Sequence, residues 1–218
     1  MLALLSVAST SLATPEADDF GGRLVVDCYP TNSSRDVAQD VARGSRASTE
    51  LTFNDCVLDG FDFGFLSAFP DLRYLNVYGG SLEEFRGMPF LPTLSSVTIA
   101  VANFRTFWAP GLTPSLSYLR LERLPDDAAI DGILQSALSY KENITFLIIS
   151  DTGATRVPPT VKEFANTNYF WFRYNDRTRN LTRGTFPSTF RPIYLYLYDN
   201  NIEHIEAGTF EGELGSDL

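Results

Sequence analysis

The sequence predicts an α/β solenoid, in which short parallel strands form a curved sheet on the concave face and irregular turns and short helices lie on the convex face. Seven segments place apolar residues at every second position, as half-buried strands do. Their first apolar residues are separated by 24, 22, 22, 28, 23 and 25 residues. These residues are Leu51, Leu75, Val97, Leu119, Leu147, Phe170 and Leu195. Spacings of about 20–29 residues are typical of a repeat whose apolar face is buried only by stacked copies.

The last repeat carries the pattern most completely. Its strand is followed by Asn200, where the chain must turn. An Asn side chain can hydrogen-bond the backbone of such a turn and, repeated in each coil, forms a ladder. The residues predicted to fill the core here are Leu195, Leu197, Ile202, Ile205 and Phe210. This LxLxxNxIxxIxxxxF pattern resembles the leucine-rich repeat superfamily, specifically its secreted animal members, and the resemblance covers roughly residues 51 to 210.

The other repeats depart from this pattern at the turn and in length. Only Asn175 and Asn200 keep the Asn, so we expect the ladder to be broken through the middle of the chain. The remaining turn positions hold Cys56, Gly80, Ala102, Leu124 and Thr152. The longest repeat places apolar residues at helical spacing over 126–138, which predicts a helix of about three turns.

The chain is divided by its composition into five parts. Residues 1–13 have the apolar core and small-residue exit of a secretory signal, and a disordered hydrophobic N-terminus is the alternative. Residues 14–22 form a flexible leader. Residues 23–48 contain a predicted strand followed by a predicted helix over 34–42, and this arrangement suits an N-terminal cap. About seven repeats fill 49–210, and 211–218 form an uncapped tail.

Three sequons and two cysteines favour a secreted protein. The sequons begin at Asn32, Asn143 and Asn180. In an oxidising compartment, Cys28 and Cys56 are predicted to form a disulfide between the cap and the first repeat, and two buried thiols are the alternative. The expected localisation is therefore extracellular.

Composition and motifs disfavour several functions. The net charge of −10 argues against nucleic acid and anionic membranes, and no further run is long enough to cross a bilayer. His204 is the only histidine and is predicted to be solvated, and no phosphate loop or GxSxG motif occurs. Asp126, Asp127 and Asp131 lie where they stabilise a helix dipole rather than bind a cation. We expect a non-enzymatic protein with no metal and no cofactor.

The outward-facing strand positions are rich in aromatic residues. The position before each first buried residue holds Tyr74, Ser96, Tyr118, Phe146, Tyr169 and Tyr194. Tyr and Trp give a large contact area with few rotors to immobilise, so this face is predicted to bind a ligand. The predicted contact residues are Tyr74, Tyr78, Tyr118, Arg120, Phe146, Tyr169, Trp171, Arg173, Tyr174, Tyr194, Tyr196 and Tyr198. Alternatively, the rings form a ladder that only stabilises the sheet.

These features predict an extracellular recognition module that binds a protein or a glycan. The alternative is a non-catalytic scaffold subunit of a secreted enzyme complex. The cap, in which Val26-Asp27-Cys28 precedes a helix, resembles that of arthropod proteins named as non-catalytic subunits of a secreted luciferin monooxygenase. The ligand and the oligomeric state are left open.

Overall fold

The computed structural model describes residues 6–7, 22–28, 47–108 and 111–210. The chain forms two compact units, Met1–Leu116 and Ser117–Leu218. Each is built from coils with one strand apiece and irregular or helical return segments, so the predicted leucine-rich repeat solenoid is confirmed. Most of the predicted signal and leader, the cap helix, Asn32 and the tail over 211–218 lie outside the described residues.

In the part of the first unit that the structure describes, there are four parallel strands and one short antiparallel strand. They are β1 (Ser6–Val7), β2 (Arg23–Asp27), β3 (Glu50–Asn54), β4 (Tyr74–Tyr78) and β5 (Ser96–Ala100). β1 pairs antiparallel with β2, and β2 to β5 pair in order as parallel neighbours. Leu51 lies opposite Leu75, which lies opposite Val97, as the repeat spacing predicts.

The second unit repeats this arrangement. Its parallel strands are β6 (Tyr118–Glu122), β7 (Phe146–Ser150), β8 (Tyr169–Arg173) and β10 (Tyr194–Tyr196). The return segments contribute β9 (Asn180–Leu181) and β11 (His204–Ile205), which pair with each other. Leu147, Phe170 and Leu195 occupy equivalent positions in adjacent strands, and this alignment fixes which side chains face outward.

Within the described residues, one α-helix and three 3₁₀ helices lie in the return segments. The helix α1 (Asp127–Ala137) confirms the prediction for the longest repeat. Asp126 caps it by accepting a hydrogen bond from the backbone N–H of Ala129 at 2.9 Å. Its apolar residues Ile130, Ile133, Leu134 and Ala137 are buried. The 3₁₀ helices span Phe63–Ala68, Leu138–Tyr140 and Pro159–Glu163.

Cys28 and Cys56 are joined by a disulfide with a Cα–Cα distance of 4.9 Å. Cys28 follows β2, and Cys56 lies in the turn after β3. The predicted bridge between the cap strand and the first repeat is therefore confirmed. It closes a segment with a sequence separation of 28 residues.

Asn side chains hydrogen-bond the turns of neighbouring coils in both units. Asn175 accepts hydrogen bonds from the backbone N–H and the hydroxyl of Thr152, at 3.1 and 2.6 Å, and its own N–H donates to Asn200. The hydroxyl of Thr152 donates to Asn175 and accepts from the N–H of Ala154 in its own coil, and among the described residues it does not bond the preceding coil. The ladder of Asn side chains therefore stops at this coil, as predicted. In the first unit, Asn103 accepts from the N–H of Leu82, one position beyond the turn residue predicted.

Gly80 has no room for a side chain. It adopts a φ of +63°, and a Cβ atom there would lie 2.1 Å from the carbonyl oxygen of Cys56. An Asn at this turn would therefore clash with the disulfide-bearing coil below it.

The apolar side chains of the last described repeat are less buried than predicted. Ile205 is 55% exposed, and the prediction that it fills the core was wrong. Leu195, Leu197, Ile202 and Phe210 are only half-buried. The physical reason is that β10 has a strand neighbour on one side only within the described residues, so its coil is not covered from both sides.

Candidate functional site

The strands of the second unit bring eight outward-facing aromatic rings together. We call this surface the aromatic face. It consists of Tyr118, Phe146, Tyr169, Trp171, Tyr174, Tyr194, Tyr196 and Tyr198, together with Arg173. Strand register places the first residues of β6, β7, β8 and β10 side by side. Alternation along a strand then directs every second side chain to the same face, away from the core.

The first row of rings forms a continuous stack. The ring centroids of Tyr118 and Phe146 are 5.9 Å apart, those of Phe146 and Tyr169 are 4.2 Å apart, and those of Tyr169 and Tyr194 are 4.7 Å apart. The last two pairs are nearly parallel, at 3° and 15°. Such cross-strand pairs stabilise a sheet by about 0.2–1 kcal/mol each, so these rings have a structural role whatever they bind.

The exposed rings lie mainly at the β8 and β10 end of the face. Tyr174, Tyr194, Tyr196 and Tyr198 are 47%, 44%, 37% and 40% exposed. The rings of Trp171 and Tyr196 pack at a steep angle, with 5.2 Å between their centroids, and those of Tyr174 and Tyr198 do so at 6.0 Å. This end therefore offers four partly exposed tyrosine rings to solvent.

Arg173 lies among these rings without an acidic partner. Its guanidinium carbon is 4.8 Å from the ring centroid of Trp171, 5.4 Å from that of Tyr174 and 5.7 Å from that of Tyr198. One terminal N–H donates to the Tyr198 hydroxyl. Within the part of the chain that the structure describes, Arg173 forms no ion pair. Its Nε and the Nε1 of Trp171 are buried without an acceptor among those residues.

Arg120, another predicted contact residue, is already neutralised. Its Nε donates to a carboxylate oxygen of Glu122 at 2.8 Å, and the Ser150 hydroxyl donates to the same oxygen at 2.7 Å. Glu122 was not predicted as part of the site. Its position two residues from Arg120, on the same face of the strand, is the sequence signal that could have identified this pair.

Not every outward strand position is open to solvent. Ile148, in the middle of β7, is only 3% exposed. Tyr74 and Tyr78 lie on β4 in the first unit and are therefore not part of the aromatic face as defined. There, the Asn76 amide donates to Glu50 and Thr52, so Tyr74 and Tyr78 stand beside polar neighbours.

The acidic residues Asp127 and Asp131, in the first half of α1, form ion pairs that hold a neighbouring coil. Arg156 bridges Asp127 and Asp131, with N–O distances of 3.0 and 2.7 Å. Burial raises the pKa of Asp131, although the charge of Arg156 opposes this shift. Among the described residues, no cluster of three or more His, Cys, Asp or Glu could hold a metal ion.

The remaining predicted features lie outside the aromatic face. His204 is exposed on β11, as predicted. Asn143 and Asn180 are exposed, the first in the turn before β7 and the second on β9. Their glycosylation stays a prediction. None of the helices in the described residues is long and apolar enough to span a bilayer.

Comparison with known proteins gives one solved structure to report. No protein-family model matches the chain. No curated protein matches it either. The leucine-rich repeat domain of the type III effector XCV3220 (XopL) is similar over 91% of this chain and 69% of its own, with 15% identity and a TM-score of 0.48. The fold assignment rests on the strand register described above, and no function is inferred from this likeness.

Proposed function

We propose that the chain is an extracellular binding module and that its aromatic face engages a protein ligand. The observation that carries this proposal is the group of four exposed tyrosines, two of which, Tyr174 and Tyr198, surround an arginine that forms no ion pair within the described residues. Tyr, Trp and Arg are the residue types that dominate binding hot spots, since they combine apolar area with hydrogen-bond donors. A purely structural ladder has no need for exposed rings beyond the stacked row.

The geometry supports a protein ligand better than a glycan, the other ligand class that the sequence leaves open. A sugar ring typically contacts an aromatic side chain across the flat face of its ring. The faces of Phe146 and Tyr169 cover each other at 4.2 Å, and a neighbouring ring also covers one face of Tyr194. Tyr196 and Tyr198 also pack against the neighbouring rings of Trp171 and Tyr174, so this end is a group of interlocked rings rather than one open flat ring. Such a surface suits the side chains of a protein.

Two features support the extracellular setting. The Cys28–Cys56 disulfide suits an oxidising compartment. The two described sequons, at Asn143 and Asn180, lie off the strands that form the aromatic face. Glycans at these positions would leave the face open. No observation separately favours the scaffold-subunit alternative or a catalytic role.

The test compares two double variants that remove similar amounts of exposed apolar surface. Tyr194→Ser with Tyr196→Ser alters the aromatic face, and Val57→Ser with Phe90→Ser alters exposed positions in the first unit. A ligand is captured from extracellular fluid with the wild-type protein, identified and purified. Its dissociation constant is then measured by calorimetry against the wild type and both variants, after circular dichroism has shown that each is folded.

Loss of two exposed hot-spot tyrosines is expected to weaken binding by about 30-fold or more, since each such truncation costs over about 1 kcal/mol. The Val57 and Phe90 variant is expected to bind like the wild type. Equal affinity for all three proteins would refute the proposal and identify the rings as a structural ladder.

A further inference from the structure

We propose that Arg173 forms a subsite for a carboxylate side chain of an acidic peptide segment in the ligand. This inference rests on the function proposed above and specifies the chemistry of its partner. The subsite consists of the guanidinium of Arg173 and the rings of Trp171, Tyr174 and Tyr198 that surround it.

The first argument is the missing partner of Arg173. The chain has 27 acidic and 17 basic residues, so carboxylates are in excess. Four arginines of the second unit form ion pairs: Arg120 with Glu122, Arg123 with Asp151, Arg156 with Asp127 and Asp131, and Arg179 with Glu203. Arg177, Arg183 and Arg191 form none within the described residues, but only Arg173 is held among aromatic rings. Within the described residues Arg173 has no such partner. A carboxylate supplied from outside would complete it.

The second argument is that the guanidinium is already held in place. It lies over the Trp171 ring at 4.8 Å, and one N–H donates to the Tyr198 hydroxyl. Its Nε is buried without an acceptor among the described residues. A guanidinium can only donate hydrogen bonds, and its planar fork matches the two oxygens of a carboxylate. Because the rings fix its orientation, little side-chain entropy would be lost on binding.

The third argument concerns the backbone of Tyr174, which has a φ of +55°. A bulky side chain is rare in this left-handed region and is strained there. The equivalent position after other strands is usually filled by residues that tolerate it better, namely Asp55, Gly79, Asp151 and Asp199, although Arg123 is a second exception. The strained turn at Tyr174 places its ring 5.4 Å from the guanidinium carbon of Arg173. We infer that the ring of Tyr174 helps to hold the guanidinium of Arg173 in position.

The surroundings favour an acidic peptide over a polyanion such as a sulfated glycan. The net charge of −10 would repel a chain of many negative charges, whereas a single carboxylate is attracted locally by Arg173. The exposed ring of Tyr196 packs against Trp171 and Tyr198 of the subsite, and Tyr194 stacks on Tyr196, so both offer apolar contact to the neighbouring residues of a peptide. The expected motif is therefore one Asp or Glu beside apolar side chains.

The experiment uses a displayed library of short random peptides. Peptides retained by the wild-type protein are counter-selected against the Tyr194→Ser and Tyr196→Ser variant, so that the survivors depend on the aromatic face. The dominant peptide is synthesised with its acidic residue intact and as the corresponding amide. Both forms are titrated against the wild type, Arg173→Gln, Arg173→Lys and the control Arg179→Gln, which removes an exposed arginine from the return segment.

We expect Arg173→Gln to weaken binding of the acidic peptide about 30-fold or more, as loss of one partner of a hydrogen-bonded charge pair does. The amide peptide should lose a similar factor, and combining the two changes should add little, because both remove the same pair. Arg173→Lys should restore only part of the affinity, since it keeps the charge but loses the fork. Arg179→Gln should have no effect.

The failures of the two proposals can be told apart. Peptides that depend on Tyr194 and Tyr196 but bind Arg173→Gln equally well, or carry no acidic residue, would overturn the carboxylate subsite alone. Peptides that bind the tyrosine variant as well as the wild type would overturn both proposals. So would a library that yields no peptide while a sulfated glycan binds the wild type.

Discussion

The turn ladder gives the sharpest prediction about stability. Asn175 is fully buried, and its side chain hydrogen-bonds its own coil to the preceding one. It accepts from the backbone N–H and hydroxyl of Thr152, and its Nδ2 donates to the carbonyl of Ile149 at 3.3 Å. Replacing Asn175 by Ala leaves the two Thr152 donors without this acceptor. A buried donor without a partner costs about 1–3 kcal/mol, so we expect Asn175→Ala to lower the free energy of unfolding by about 2–4 kcal/mol.

Two neighbouring asparagines provide graded controls. Asn200 is half-buried, donates to the carbonyls of Phe172 and Leu197, and accepts from the N–H of Asn175. Water can replace part of these bonds, so Asn200→Ala should cost about 1 kcal/mol. Asn201 is exposed and makes one bond to the carbonyl of Asp176 at 2.8 Å. Asn201→Ala should change stability by less than about 0.5 kcal/mol.

The assay is equilibrium unfolding in urea, followed by circular dichroism, with the slope of the transition compared between variants. The expected order of destabilisation is Asn175, then Asn200, then Asn201. Equal losses for Asn175→Ala and Asn201→Ala would refute the account of the ladder, because they would show that burial of these hydrogen bonds does not decide their contribution.

Three further predictions concern other parts of the molecule. Replacing Cys28 and Cys56 by Ala should destabilise the oxidised protein by about 3–4 kcal/mol in thermal unfolding, and reductant should lower the stability of the wild type only. Burial raises the pKa of Asp131 in the folded state, so ionisation of this carboxyl opposes folding. The free energy of unfolding, measured by urea unfolding, should therefore fall as pH rises through this raised pKa. Asp131→Asn should flatten that part of the dependence of stability on pH. Tyr174→Gly removes left-handed strain and exposed ring contacts, so its unfolding free energy should stay within about 1 kcal/mol of the wild type, and a loss above about 2 kcal/mol would show that this ring is structural.

The strands and their register could be predicted from the sequence. Alternation and spacing identified Leu51, Leu75, Val97, Leu119, Leu147 and Phe170 as the first buried residue of each strand, and all six are fully buried. These signals are strong because a one-residue slip would turn the apolar side chains to solvent. The helix α1 was predictable for a similar reason, since its apolar residues follow the helical period.

Side-chain partners between coils could not be predicted in the same way. The salt bridge between Arg120 and Glu122 and the burial of Ile148 depend on rotamers and on the neighbouring coil. At one turn, Asn103 accepts from the N–H of Leu82 one position beyond the predicted turn residue, which a pattern fixed to a single position misses. The sequence predicted that the aromatic residues share one face of the sheet. It did not predict which of their rings stack in a row and which lie exposed at one end.

The central claim is that the aromatic face binds a protein ligand, and amide hydrogen exchange of the complex tests it most directly. The captured and purified ligand is added to the wild-type protein, and protection is compared along the chain. The account predicts new protection in Tyr169–Arg173 and Tyr194–Tyr196, the strands β8 and β10 that carry the exposed rings. Protection confined to the return segments around Asn180–Leu181 and His204–Ile205, with none in β8 or β10, would contradict it.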